Sequence, residues 1–171
     1  MTEKYLKYKD SNIFYRIFGK GLPLIFIHGF GEDGTIWKNQ IEKLEEKFLL
    51  IVPDIPGSGK STLLKDGDID EYSVVIKAII DNEAINGPVV LLGHSMGGYI
   101  SLAFAEKFPE QVKALGLLHS TAYADTAEKI EARLKSINFI KENGSAAFLK
   151  TSIPGLFTTT FNEVQNNVAK E

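Results

Sequence analysis

The apolar run 89–92, Val-Val-Leu-Leu, ends in Gly93-His94-Ser95-Met96-Gly97, and this junction constrains the fold more than any other stretch. A short buried strand and a helix predicted over 96–108 must be joined there without a linker. A strand that turns sharply into a helix lifts the intervening serine clear of the sheet edge. Glycines two positions to either side are what so tight a turn requires, because a Cβ at either place would meet neighbouring backbone. The start of the helix adds free N–H groups and the positive end of its dipole where an oxyanion would form. The pattern G-x-S-x-G is short and occurs by chance, and its plain alternative is a serine that merely initiates a helix. The strand–turn–helix context is what makes Ser95 a candidate nucleophile.

The surrounding pattern alternates strands with helices. Residues 5–9 and 13–18 read as two strands joined by a turn at Asp10-Ser11-Asn12, with aromatic and β-branched residues alternating with polar ones. Residues 23–27 form a short, continuously apolar strand of the kind covered on both faces. A glycine-rich loop over 28–34 leads to an amphipathic helix carrying Trp37, Ile41, Leu44 and Phe48 at helical spacing, and 48–52 is a further buried strand. Residues 72–85 are helical, with Asp70 as the expected cap and Gly87-Pro88 as the stop. Pro109 ends the helix after Ser95, and 112–118 is another strand. Strands separated by helices imply βαβ units, so the fold class is α/β with a mostly parallel sheet and flanking helices.

Beyond Ser120 the character changes. Residues 125–143 read as a long charged helix with Ile130, Leu134, Ile137 and Ile140 on one face, ended by Gly144. A second helix over 145–151, an apolar turn over 153–157 and the beginning of a third helix over 161–171 follow. The expected division is a core over 1–121, holding strands one to six, and a helical segment over 122–171.

Composition excludes several functions. The chain has 171 residues, 44% hydrophobic and 24% charged, sufficient for a sizeable core. Its formal net charge of -3 argues against a nucleic-acid surface. It has no cysteine, so disulfides, thiolate metal sites and a cysteine nucleophile are excluded. No cofactor and no metal is called for. No apolar run has the length to span a bilayer, and residues 1–10 lack a secretory pattern, so a cytoplasmic protein without membrane contact is expected. Asn143-Gly144-Ser145 fits a glycosylation acceptor, but a helix-ending turn accounts for it.

Three motifs carry a resemblance: His28-Gly29-Phe30-Gly31, the run Asp54-Ile55-Pro56-Gly57-Ser58-Gly59-Lys60-Ser61, and the pentapeptide around Ser95. Their order and spacing resemble the α/β-hydrolases over residues 3 to about 160, in particular small esterase-like and acyl-thioesterase-like members with a helical cap. The resemblance implies that Ser95 is the nucleophile and that the backbone N–H groups of Met96 and Phe30 form the oxyanion hole. It makes the segment after 121 the start of a helical cap, incomplete within this sequence. His28 matches the family's oxyanion-loop histidine and is read as bracing that loop rather than as a base. His94 is expected to point away from the nucleophile into the packing, and Tyr99 to pack on the sheet. Gly57-Ser58-Gly59-Lys60-Ser61-Thr62 looks like a phosphate-binding loop, but Asp54 stands where that motif needs its first glycine, so a nucleotide site is not expected.

Serine chemistry also needs a base and an acid that orients it, and the family places them in the order serine, acid, histidine. The one histidine after Ser95 is His119, at the end of strand 112–118. The nearest candidate acid is Asp125, which also reads as a helix cap paired with Glu128 in a capping box. The family's histidine follows strands beyond those read here. The expectation is therefore hydrolysis of a carboxylic ester or thioester through an acyl-serine. A C-terminal fragment or second chain supplies the remaining strands, acid and histidine. Phe139, Phe148 and Phe157 either shape an apolar acyl site or pack cap against core. Two alternatives stand beside this: a cofactor-free C–C hydrolase or perhydrolase on the same fold, and a non-catalytic ligand-binding or scaffolding relative.

Overall fold

The computed structural model describes residues 1–156 and 158. They form two compact units, residues 1–122 and the described residues from 123 onward. The first is a six-stranded sheet: β1 (Thr2–Tyr8), β2 (Ser11–Phe18), β3 (Leu22–Ile27), β4 (Phe48–Pro53), β5 (Val89–His94) and β6 (Val112–Leu118). Its helices are α1 (Lys38–Leu44), entered through a 3-10 turn Gly34–Trp37, α2 (Ile69–Asn82) and α3 (Met96–Lys107). The second unit holds α4 (Ala127–Asn143), α5 (Ser145–Ser152) and a 3-10 turn Ile153–Leu156. The expected third helix over 161–171, and Phe157, lie outside the described residues.

The strand order is β1-β2-β4-β3-β5-β6. The β1–β2 and β2–β4 pairs are antiparallel, and the three pairs among β4, β3, β5 and β6 are parallel. The period-2 alternation of β3 divides the core. Ile25 and Ile27 point to the side where α2 and α3 pack, with Ile76, Ile79, Ile80, Ile100 and Phe104. Leu24 and Phe26 face the other side with Trp37, Ile41, Leu50 and Val52. Covering both faces explains why these strands read as unbroken apolar runs. From β3 the chain passes on one side to β4, then returns across β3 to β5. The sheet thus reverses its winding between β3 and β5, and the carboxyl ends of such a pair leave a crevice where ligands bind.

Three local expectations shift. Phe48 continues no helix: α1 ends at Leu44, and Phe48 opens β4 in register with Leu22. The α2 cap is Asp68, whose Oδ1 accepts the Glu71 N–H at 2.8 Å, and Asp70 lies inside the first turn. The α4 cap is Thr126, whose hydroxyl accepts the Lys129 N–H at 3.4 Å, while Asp125 bonds Arg133 Nε at 2.5 Å. Asp, Ser and Thr all satisfy the same orphan N–H groups, so a sequence with several in a row leaves the boundary loose by a residue or two. No residue of α4 is buried, and Ile130, Leu134 and Ile137 are exposed. Among the described residues no helix is long and apolar enough to cross a membrane.

Candidate active site

Ser95 joins β5 to α3 with φ 50 and ψ -116, a conformation that side chains other than glycine adopt at a cost of about 1–3 kcal/mol. The surroundings hold it there. Its N–H donates to Leu118 O at 2.9 Å. Its carbonyl accepts the Gly98 N–H at 3.0 Å and the Ser120 hydroxyl at 2.8 Å. The turn admits no side chain on either flank: a Cβ on Gly93 would lie 2.3 Å from Gly97 O, and one on Gly97 2.2 Å from Ile27 O. The Gly97 contact packs α3 directly onto the end of β3, which brings the next loop to the serine.

That loop begins at His28. A Cβ built on Gly29 would lie 3.0 Å from the Ser95 Cβ, so the glycine is what lets the two segments meet. His28 is fully buried. Its Nδ1 donates to Gly29 O at 2.9 Å, and its Nε2 accepts the Ile55 N–H at 2.9 Å. A carbonyl can only accept and an amide can only donate, so the ring is the neutral tautomer with its proton on Nδ1. Burial pushes its pKa below the ordinary imidazole range, outweighing the bond to Gly29 and the carboxylates of Asp54, Glu32 and Asp33, which raise it. With both nitrogens occupied, His28 braces the loop. The peptide it holds by the Gly29 carbonyl is the one that carries the Phe30 N–H, and in a trans peptide the two point in opposite directions.

His94 packs against the core residue Trp37, as expected, and in addition bonds across the site. It is half-buried, with Nδ1 2.9 Å from Glu32 Oε2. Its ring stands edge-on to Trp37 at 6.5 Å and to His119 at 5.9 Å between centroids. His119 follows β6 with φ 46 and is exposed. Glu32 escaped the sequence reading, since nothing marks an acid in a glycine-rich loop as the partner of a residue in the serine turn. Phe30 is 61% exposed, while Met96 is half-buried against the α2–α3 core. Tyr99, one turn into α3, is half-buried. Asp125 belongs to the second unit and pairs with Arg133.

The loop that resembles a phosphate cradle is filled by its own carboxylate. Asp54 is fully buried; its Oδ1 accepts the Gly34 N–H at 2.9 Å and Arg16 Nη1 at 3.1 Å, and its Oδ2 the Lys60 N–H at 2.9 Å. Gly59, at φ +51, passes so close that a Cβ there would lie 2.1 Å from Asp54 Oδ2. Lys60 Nζ turns outward to both carboxylate oxygens of Glu3, 3.0 Å away. The loop is a brace between β4, β2 and the turn before α1. Among the described residues no group of three or more His, Cys, Asp or Glu side chains could hold a metal ion.

Comparison with known proteins identifies the fold family. The family model for the α/β-hydrolase fold matches residues 23–163. A dihydrolipoyllysine-residue acetyltransferase component of an acetoin cleaving system from Pseudomonas putida is 38% identical over 106 residues, 61% of this chain and 28% of that protein. Lipase LipV of Mycobacterium tuberculosis is 34% identical over 120 residues, 68% of this chain and 45% of the lipase. A thermophilic esterase from Thermogutta terrifontis, solved with malate bound, superposes with a TM-score of 0.87 and 27% identity, over 99% of this chain and 64% of the esterase. The chain thus spans less than half the length of these curated relatives. On the matched family model and the fold, this chain belongs to the α/β-hydrolase fold family.

Proposed function

We propose that this chain carries the nucleophilic half of a serine hydrolase acting on a carboxylic ester or thioester. The observation that carries the reading is the strained Ser95 turn, wedged against the Gly29 loop at the carboxyl ends of β3 and β5. Ser95 Oγ attacks the acyl carbon, its proton passes to a base, and the carbonyl oxygen becomes an oxyanion between the Phe30 and Met96 amides. Collapse expels the alcohol or thiol, which takes the proton from the base. Water then attacks the acyl-serine by the same route in reverse, releasing the acid and restoring the hydroxyl. The oxyanion donors are worth about 10²–10³ in rate apiece. Both are backbone groups on braced segments, so they need no rearrangement as charge develops. The exposed Phe30 ring and the Met96 side chain border the acyl group.

His28 is ruled out as the base by its two occupied nitrogens. We assign the base and its acid to polypeptide beyond this sequence, either a continuation or a second chain, which also covers β6. The support is the exposure of β6 at the sheet edge, where Leu115 and Leu118 are 37% and 39% exposed, and the short share of its relatives that the chain spans. His119 is the candidate within the chain. We read the segment from 123 onward as the beginning of a helical cap, with Phe139 and Phe148 among its apolar residues and Asp125 as the first candidate acid after Ser95 in the chain.

Turnover of nitrophenyl acetate tests the reading. Residues 1–171 alone should hydrolyse it scarcely faster than buffer, and addition of the completing segment should restore turnover. Ser95→Ala should then remove about a millionfold of the rate. Turnover by the assembled protein that survives Ser95→Ala contradicts the assignment. Robust activity of residues 1–171 that is lost in His119→Ala would move the base to His119.

A further inference from the structure

Glu32 has no part in the acyl-transfer steps above, yet one of its oxygens touches both walls of the site. Its Oε2 accepts the Gly29 N–H at 2.7 Å and lies 2.9 Å from His94 Nδ1. Gly29 is the second residue of the loop after β3, and His94 ends β5 one residue before Ser95. A Cβ built on Gly29 would sit 2.9 Å from Glu32 Oε2, 3.0 Å from Ser95 Cβ and 3.3 Å from His94 Nδ1, so these groups crowd into the width of one side chain. The His94 ring is restrained further by edge contacts to Trp37 and His119. Both partners are largely shielded, at 26% and 28% exposure, which limits competition from water.

We propose that Glu32 is a positioning residue: through His94 it ties the Gly29–Phe30 loop to the serine turn and so sets the spacing of the two oxyanion donors. The inference rests on the assignment of Ser95 and the oxyanion hole above. Those donors, Phe30 N–H and Met96 N–H, belong to segments far apart in the chain. His28 fixes the loop's far side, towards Ile55, and the Glu32–His94 contact fixes it towards the nucleophile. A displacement of about 1 Å in such a constellation costs about 10²-fold in rate. Both bonds ask the carboxylate only to accept: Gly29 gives an amide proton, and His94 gives its Nδ1 proton. The role therefore needs an oxygen at that place rather than a charge.

The test uses nitrophenyl acetate turnover by the assembled enzyme, with Glu32→Ala, His94→Ala, the double variant and Glu32→Gln. Glu32→Ala and His94→Ala should each lower kcat at least about tenfold with KM changed less than about threefold, because only the transition-state geometry suffers. The double variant should be within about twofold of the worse single one, as expected for two halves of one contact. Glu32→Gln, which keeps the acceptor oxygen, should retain kcat within about threefold of the parent. Gly29 amide exchange, read by NMR in the assembled enzyme, should quicken in Glu32→Ala and also in His94→Ala, although Gly29 does not bond His94. An unchanged kcat in Glu32→Ala, losses that multiply in the double variant, or Glu32→Gln as impaired as Glu32→Ala would overturn the proposal. If Ser95→Ala is inactive while Glu32→Ala is unimpaired, only this inference falls; if Ser95→Ala is active, the nucleophile assignment falls first.

Discussion

Ser95 occupies a backbone conformation that glycine would adopt more easily, and the chain keeps a serine there. Strain held at a single residue between a strand and a helix is what the proposed nucleophile turn would require. The glycines around it bear the steric consequence. Gly97→Val should leave the protein unfolded or unable to turn over ester, since its side chain would be driven into the carbonyl of Ile27; circular dichroism and a nitrophenyl assay check this. His28 gives a prediction in pH. Its folded pKa lies below 6.5, so the buried neutral ring stabilises the fold fully above about pH 6.5, and that stabilisation is lost as pH falls towards the folded value. The His28 ring resonances should stay those of neutral imidazole below pH 6.5, and the melting temperature should fall over the same interval. A ring that protonates with an ordinary midpoint and no loss of stability would contradict the buried tautomer. The sharp turn at Ser95 is legible in the sequence because it follows from a local pattern, and the bracing by His28 because the resemblance implied it, although its partner Ile55 lies 27 residues away. The bond between His94 and Glu32 is not, because it joins residues 62 apart that only the sheet brings together.

At the scale of elements, the strands declare themselves by apolar runs and the helices by their stripes, and the parallel arrangement follows from their alternation. Boundaries were less legible. Asp68 and Asp70 both lie before the apolar face of α2, and only the extended backbone at Asp68 decides between them. Asp68→Ala should cost about 1 kcal/mol in denaturant unfolding, whereas Asp70→Ala should cost clearly less. The brace around Asp54 is a stronger case. Removing that carboxylate strands the Gly34 and Lys60 amides and leaves the nearly buried Arg16 only the more distant Glu3, 3.9 Å away. Asp54→Ala should destabilise by about 3–5 kcal/mol. The sequence marked Asp54 as a departure from a phosphate-binding pattern; its role as acceptor for three elements emerges only when β2, β4 and the loop before α1 are assembled. Calorimetric titration of ATP with magnesium should accordingly show no saturable binding, and a micromolar site lost in Lys60→Ala would contradict this account of the loop.

For the whole molecule, the sheet places the carboxyl ends of β3 and β5 together, and with them both candidate oxyanion donors and the candidate nucleophile. It leaves β6 at an edge with apolar side chains exposed. An edge of that kind invites pairing with another strand. Residues 1–171 alone should therefore associate or precipitate unless the completing segment is present, which sedimentation at several concentrations would reveal. The central claim is that Ser95 is the single nucleophile of the assembled hydrolase. Fluorophosphonate labelling of that assembly, followed by peptide mass spectrometry, tests it most directly: one adduct is expected, on Ser95, and none in Ser95→Ala, whereas an adduct on another residue, or labelling that persists in the alanine variant, would contradict it.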